Sequence, residues 1–340
     1  MTISLCMIVK NEEKILRRCL DSLKGIYDEA IIVDTGSTDA TKAIAAEYTD
    51  KVYDFEWVYD FSKARNYAMS LATCDYIYMA DADEVLDEEN RQKFLRLKAA
   101  LDGEVEVVQM YYVNQLSNGS VYNYDREPRA KLYKRERKFT FIDPIHEVIR
   151  ELPVVYDSDI DIMHMQQESH SGRDLETFRR AIVRDGKLSN RLIDMYAREL
   201  VIDGKDEDFS MAYDFFAEIV ESGEYPEAAL RAAYIVLAEC ALLAGDEKEL
   251  IKYSLKDIAS GGSAEMCCIL GVYFEKKADY NESFMWYYNA RYETEPLLNI
   301  RSSKQIPVQG LIRVLDATGQ SEAASKYREE LKKFESGETL

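Results

Sequence analysis

The apolar run Tyr76-Ile77-Tyr78-Met79-Ala80 ends in three acidic residues, Asp81, Asp83 and Glu84. Residues two apart in extended chain point the same way, so Asp81 and Asp83 set two carboxylates side by side. Hard oxygen ligands so placed suit Mg²⁺ or Mn²⁺ shared with the phosphates of a substrate. The competing role is a merely solvated strand end. Asp-x-Asp also occurs at Asp157/Asp159, Asp159/Asp161 and Asp206/Asp208, which read as solvated turns or strand ends. The pair at 81 and 83 differs in ending a buried strand and preceding a helix expected over 87–101.

Other polar clusters also fall where apolar runs stop. Asn11-Glu12 follows "ISLCMIVK", and Asp34-Thr35-Gly36-Ser37-Thr38-Asp39 follows "AIIV". Asp60, Arg65 and Asn66 follow "VYDFEWVY". Asp34 can accept hydrogen bonds from a base or a ribose. Gly36 lets backbone approach a ligand closely. Ser37 or Thr38 caps the next helix, whose N-terminus favours an anion. Arg65 offers a planar cation to a phosphate or a base. Taken singly, Asn11, Ser37 and Ser62 are ordinary caps, Asp39 suits a first helical turn, and Arg65 suits a surface ion pair.

The elements that must position these residues follow from the pattern. Up to about residue 165, the runs "ISLCMIV", "AIIVD", "VYDF", "YIYMA" and "VEVVQMYYV" read as strands. Three helices fall between them: one starting near Asn11 with Glu12 and Glu13 in its first turn and stopping near Gly25, one after "GSTD", and one over "SKARNYAMSLA" with Ser62 as N-cap. Such alternation implies a mainly parallel, helix-covered sheet whose ligands bind beyond the C-terminal ends of the strands.

From about residue 175 the strand signals stop, and amphipathic helices follow with turns at "GEYPE", "AGDEKE", "SGGSAE" and "KADYNE". Residues 264–296 resemble a tetratricopeptide repeat, with Leu270, Gly271, Phe274, Ser283, Tyr287 and Ala290 at the helix-packing offsets. The expected organisation is an α/β domain over 1–170 and a helical, repeat-like domain over 171–340. The helical half either packs as plain hairpins or presents a concave surface to a partner.

The 340 residues are 47% hydrophobic and 11% aromatic, a globular composition with room for two cores. A net charge of −20 argues against nucleic acid or an anionic membrane as main partner. No run reaches the ~20 apolar residues of a membrane span, and "MTISLCMIVK" reads as a first strand and not a signal peptide. The six cysteines lack metal-ligand spacing and read as reduced core thiols, so a cytoplasmic location is expected. The stretch 126–138 holds seven basic residues against two acidic ones. It is either a solvated hairpin or a contact for an acceptor or phosphate, with Tyr111, Tyr112, Tyr122, Tyr124 and Tyr133 nearby.

"SLCMIVKNEEKILRRCLDSL", "IIVDTGSTDAT", "DFSKARN" and "MADADE" resemble, in order, the motifs of family-2 glycosyltransferases with the GT-A fold. "PRAKLYKRERKFTFIDPIHEVI" and "DIMHM" resemble later segments of a subgroup that includes bacterial core-oligosaccharide and bacteriocin glycosyltransferases. The resemblance covers about residues 1–170 and implies a GT-A domain, a Rossmann-like mixed sheet, ahead of the tetratricopeptide-like helices. It further implies a UDP-sugar donor with Mn²⁺ or Mg²⁺, and a hexose or N-acetylhexosamine moved with inversion to a glycan or to a peptide or protein. Asn11, Glu12, Asp34, Gly36 and Arg65 would line the donor, with Asp60, Asn66, Asp81 and Ala82 beside it. Asp83 would bind the metal directly, with Asp81 near ribose or metal and His164 closing the site. The subgroup has a glycine before its Ile-His-Glu element and His-Tyr-Gly after its last strand. Here Asp143-Pro144 and Met165-Gln166 stand instead.

Inverting transfer needs a base for the acceptor's proton. Glu147 is the first candidate, Asp143 the second, and His146 an orienting or base alternative. The rival role for Glu147 is a salt bridge to the basic stretch upstream. His170, in "ESHSGRD", reads as a loop residue. A homodimer through the helical domain is one expected assembly. Two other function classes stand beside this reading. A sugar-nucleotide nucleotidyltransferase would need a glycine-rich basic loop where Lys10-Asn11-Glu12-Glu13 stands. A helical scaffold with a vestigial transferase domain would not need Asp83, Arg65 and Asp34.

Overall fold

The computed structural model describes residues 1–101, 103–113, 126–165 and 171–336. Tyr122, Tyr124, Gln166 and His170 lie outside them. The chain divides into two compact units, Met1–His170 and Ser171–Leu340.

The first unit is built on an eight-stranded mixed sheet. Its strands are β1 (Ile3–Val9), β2 (Glu29–Asp34), β3 (Val52–Asp54), β4 (Tyr76–Ala80), β5 (Glu84–Val85), β6 (Val107–Val113), β7 (Arg126–Lys134) and β10 (Val155–His164), in the order β3-β2-β1-β4-β7-β6-β10-β5. A two-stranded ribbon joins β8 (Phe141–Ile142) to β9 (Val148–Ile149). Strands β1 to β4 pair in parallel, β7 runs antiparallel to β4 and β6, and β10 is parallel to β6. The C-terminal ends of β1, β2, β4, β6 and β10 therefore share one edge. β1, β2 and β4 are buried on both faces, which is why they read as unbroken apolar runs.

Four helices cover the sheet: α1 (Leu16–Ser22), α2 (Thr41–Ala46), α3 (Phe61–Ser70) and α4 (Glu88–Ala100). The first starts later than its pattern suggests. Asn11 takes a left-handed conformation at φ 57°, and its side-chain oxygen accepts from Thr38 N at 2.8 Å. Residues 11–15 thus form a turn that ties β1 to the loop after β2. Asp60, and not Ser62, caps α3: the Asp60 carboxylate accepts from Lys63 N at 3.2 Å, and the Ser62 hydroxyl donates to Asp60 at 2.6 Å. The strand expected over "VYDF" shortens to three residues, Val52–Asp54.

The second unit is all helical: α5 (Ser171–Asp185), α6 (Asn190–Asp203), α7 (Asp206–Ser222), α8 (Glu227–Ala244), α9 (Glu247–Ala259), α10 (Ala264–Lys276), α11 (Tyr280–Tyr292), α12 (Gln305–Ala317) and α13 (Ser321–Glu335). α7, α8 and α9 pack successively on one another, as do α10, α11, α12 and α13. In α10 and α11, Ser283 Oγ donates to the Gly271 carbonyl at 2.8 Å, and the buried Tyr287 ring lies against Gly271 and Gly310. All six cysteines are free, and five of them are buried.

Candidate functional site

The polar residues that end β1, β2 and β4 gather on the shared edge. Asp34 closes β2 and is buried. Its Oδ2 accepts from Gly36 N at 3.1 Å and Ser37 N at 2.9 Å, while its Oδ1 is buried with no hydrogen-bond partner. Gly36 allows the turn, with φ at 101° and open space where a Cβ would stand. The Asn11 amide nitrogen donates to Ser37 Oγ at 2.9 Å, and that of Glu12 donates to Thr41 Oγ1 at 2.7 Å. These bonds brace the two loops around Asp34.

Arg65, on α3, is the hinge of the site. Its Nε donates to Glu147, and its Nη2 donates to Asp81 Oδ1 at 2.9 Å. One buried guanidinium thus joins the β8–β9 loop to the turn after β4. The Phe61 amide, donating to the Pro144 carbonyl at 2.8 Å, fastens the same loop to the start of α3. Glu147 pairs with Arg65 rather than with the basic stretch upstream. Asn66 is spent on structure: its amide donates to the Phe141 carbonyl and accepts from the Phe141 amide, at 2.9 and 2.8 Å. Asp60 is likewise occupied as a cap. Asp143 and His146 take left-handed conformations in the β8–β9 loop, at φ 73° and 49°, and His146 is exposed.

The turn Asp81-Ala82-Asp83-Glu84 holds most of the charge. Ala82 is buried in the core beneath it. Burial alone would raise the Asp81 carboxyl, but the Arg65 and Lys131 cations hold it well below the usual carboxylate range. Burial pushes the Glu84 carboxyl up to about 7, against the pull of Lys131. Asp83 Oδ2 lies 3.1 Å from His164 Nε2, while its Oδ1 and His164 Nδ1 are buried without partners. Burial disfavours the charged imidazole, yet the bond to Asp83 holds its pKa above the ordinary histidine value. The Met165 amide donates to the Asp83 carbonyl at 2.9 Å, which fixes the end of β10 to this turn.

The structure therefore brings Asp83 and His164 together from distant parts of the chain and turns Asp81 toward Arg65. Among the described residues, no three His, Cys, Asp or Glu side chains form a ready ion cage. The orphaned Asp83 Oδ1 is a hard oxygen with a free lone pair, which fits a divalent cation completed by ligand oxygens.

The basic stretch is not a free cationic patch. Arg126 pairs with Asp161 at 2.8 Å and stacks on Tyr111, Arg129 pairs with Glu127 at 3.1 Å, and Arg137 pairs with Glu106 at 2.9 Å. Lys131 is buried, and sequence reasoning missed it as a site residue. The signal was present: Lys131 stands inside "AKLY", an apolar run where a solvated lysine has no place.

Residues 4–152 match the family model "Glycosyl transferase family 2". Among curated relatives, a TPR repeat-containing protein of Synechococcus elongatus is 36% identical over 171 residues, which is 50% of this chain and 39% of that protein. The SPbeta prophage-derived glycosyltransferase SunS of Bacillus subtilis is 32% identical over 149 residues, 43% of this chain and 34% of that protein. A glycosyltransferase of Rickettsia felis is 30% identical over 168 residues, covering 47% of this chain and 56% of its own length. The chain thus spans only about a third to just over half of these relatives. Among solved structures, glucosyl-3-phosphoglycerate synthase from Mycobacterium tuberculosis with Mg²⁺ and UDP aligns over 55% of this chain and 80% of that one, at 14% identity and a TM-score of 0.40. S. aureus TarS 1-349 aligns over 86% of this chain and 92% of that one, at 15% identity and a TM-score of 0.37.

Proposed function

We propose that the chain, whose residues 4–152 match the family-2 glycosyl transferase model, is a metal-dependent, inverting transferase of the GT-A type. It moves a hexose or N-acetylhexosamine from a UDP-sugar to a glycan or to a peptide or protein. The supporting observation is a set of orphaned carboxylate oxygens on one sheet edge: Asp34 Oδ1 at the end of β2, and Asp83 Oδ1 and Glu84 Oε2 just past β4. A buried acceptor without a partner is costly unless a ligand supplies one. Asp34 suits an N–H or O–H donor of a nucleoside. Asp83, with His164 beside it, suits Mn²⁺ or Mg²⁺. When bound, the ion offsets charge developing on the departing diphosphate.

The protein's own groups supply the rest. Glu12 and Gly36 flank the nucleoside position, and Arg65 orders Asp81 and Glu147 around it. In a single displacement the acceptor's oxygen or sulfur bonds to the anomeric carbon while the bond to the phosphate oxygen breaks. Glu147 takes the acceptor's proton, with Asp143 or His146 as the alternatives. Acceptor contact or pairing with a second copy falls to the helical unit, where α9 and α11 expose Ile251, Leu255, Ile258, Met285 and Tyr288. No described helix is long and apolar enough to cross a membrane.

UDP with Mn²⁺ is expected to raise the melting temperature of the wild-type chain. At 100 times Kd the stabilisation is about 2.7 kcal/mol. Asp83→Ala should abolish turnover of UDP-sugars with an unchanged circular dichroism spectrum. A chain whose melting no sugar nucleotide shifts, or an Asp83→Ala variant with full turnover, defeats the reading.

A further inference from the structure

Lys131 is only 4% exposed. Its Nζ lies 2.5 Å from Glu84 Oε1, 3.2 Å from the Tyr112 hydroxyl and 3.8 Å from Asp81 Oδ2. The Tyr112 hydroxyl donates to Glu84 and stands 3.3 Å from Asp81 Oδ2, and its ring stacks on His164 with centroids 5.1 Å apart. A buried ion pair stabilises a fold little more than apolar side chains of the same size, so packing alone does not explain this one. What distinguishes it is its position. Arg65 holds Asp81 Oδ1 and Lys131 faces Asp81 Oδ2, so both oxygens of that carboxylate are engaged by protein cations. Two residues on, Asp83 keeps one oxygen without any partner; Glu84 Oε2 is also unpartnered, but Glu84 is 1% exposed and its other oxygen is held by Lys131, whereas the Asp83 side chain is 18% exposed.

We propose that Lys131 is a positioning residue: with Arg65 it clamps Asp81 from both sides, and through Glu84 and Tyr112 it fixes the Asp81–Glu84 turn so that Asp83 alone faces the cation and diphosphate of the donor. This inference rests on the donor reading above. It also accounts for a buried lysine in β7, where Arg126 and Arg129 serve surface ion pairs.

The test separates the clamp from simple charge balance. Lys131→Met leaves the buried Glu84 carboxyl without its cation and its hydrogen-bond donor, so the ligand-free melting temperature falls and the calorimetric Kd for UDP with Mn²⁺ rises. The double variant Glu84→Gln/Lys131→Met removes both charges together, and its melting temperature recovers toward wild type. Asp81 still lacks its second cation, so Kd for UDP with Mn²⁺ stays at least tenfold above wild type. Tyr112→Phe keeps the ring on His164, loses only the hydroxyl, and raises Kd severalfold. A double variant with wild-type melting and wild-type Kd would show that Lys131 merely balances Glu84, and an unchanged Kd in Tyr112→Phe would also overturn the clamp. If the wild-type chain itself takes up no UDP with Mn²⁺, the donor reading falls first and the clamp with it.

Discussion

Arg65 shows how much one side chain carries in this site. Its guanidinium reaches Asp81 and Glu147 at once, with only 13% of the side chain exposed. Removing it strips Glu147 of its cation and leaves Asp81 with Lys131 alone. Arg65→Ala should therefore lower stability by about 3–5 kcal/mol, read from the urea midpoint. Arg65→Lys should recover only part of that, because a point ammonium cannot serve two carboxylates in the planar fork that arginine offers. An Arg65→Lys chain as stable as wild type would mean that one of the two bonds carries no weight. At this scale, legibility followed distance along the chain. Asp34, Asp81 and Asp83 stood out because a carboxylate at the end of an apolar run is a local pattern. The Arg65–Glu147 pair spans 82 positions, and nothing in local spacing announces it. Lys131 was hidden differently: it lay within a charged stretch whose other members are surface residues, and only the burial of β7 sets it apart.

Elements were most legible where periodicity alone decides them. β1, β2 and β4 followed from apolar runs, and α4 was expected over 87–101; in the structure Asp87 caps it, with Glu88 and Glu89 in its first turn. Where two features competed, tertiary contacts won. Asn11 had the composition of a helix start, yet it serves the loop after β2, and α1 begins five residues later at Leu16. Ser62 had the right residue type for a cap, but Asp60 accepts the bond and Ser62 supports it. The repeat-like offsets in α10 and α11 correspond to real packing. A Cβ on Gly271 would stand 2.6 Å from the Tyr287 ring, and that ring is wholly buried. Gly271→Ala should cost about 1–3 kcal/mol as overpacking, since neither the ring nor the helix backbone can retreat cheaply. The urea midpoint of the helical unit measures it, and an unaffected midpoint would show that α10 and α11 are free to separate there.

One carboxyl in each unit, Glu29 in the first and Glu199 in the second, responds to pH in the opposite sense to the other. In the first, Glu29 accepts from Lys51 at 2.5 Å, from Thr73 N at 2.6 Å and from Ser4. Burial works against its charge, but these bonds win and lower its pKa from 4.5 to about 2. Its ionised form favours the fold, so that contribution is whole above pH 4.5 and is lost as the pH falls toward 2. In the second unit, burial and then the neighbouring Asp174 and Asp203 raise Glu199 from 4.5 to about 7. Here the folded chain holds a proton that the unfolded chain releases, so stability falls as the pH rises from 4.5 to 7 and levels off beyond it. Glu239 and Asp257, also raised mainly by burial, push the same unit the same way. Scanning calorimetry of the full chain should therefore show the helical transition lower at pH 8 than at pH 5. The Gly271→Ala shift identifies which transition that is. Glu199→Gln removes an ionisable group whose charge the fold penalises, so it should raise this transition at pH 8 and change it little at pH 5. If the variant moves both pH values equally, the carboxyl titrates in the folded chain as it does in the unfolded one, and the drift has another origin.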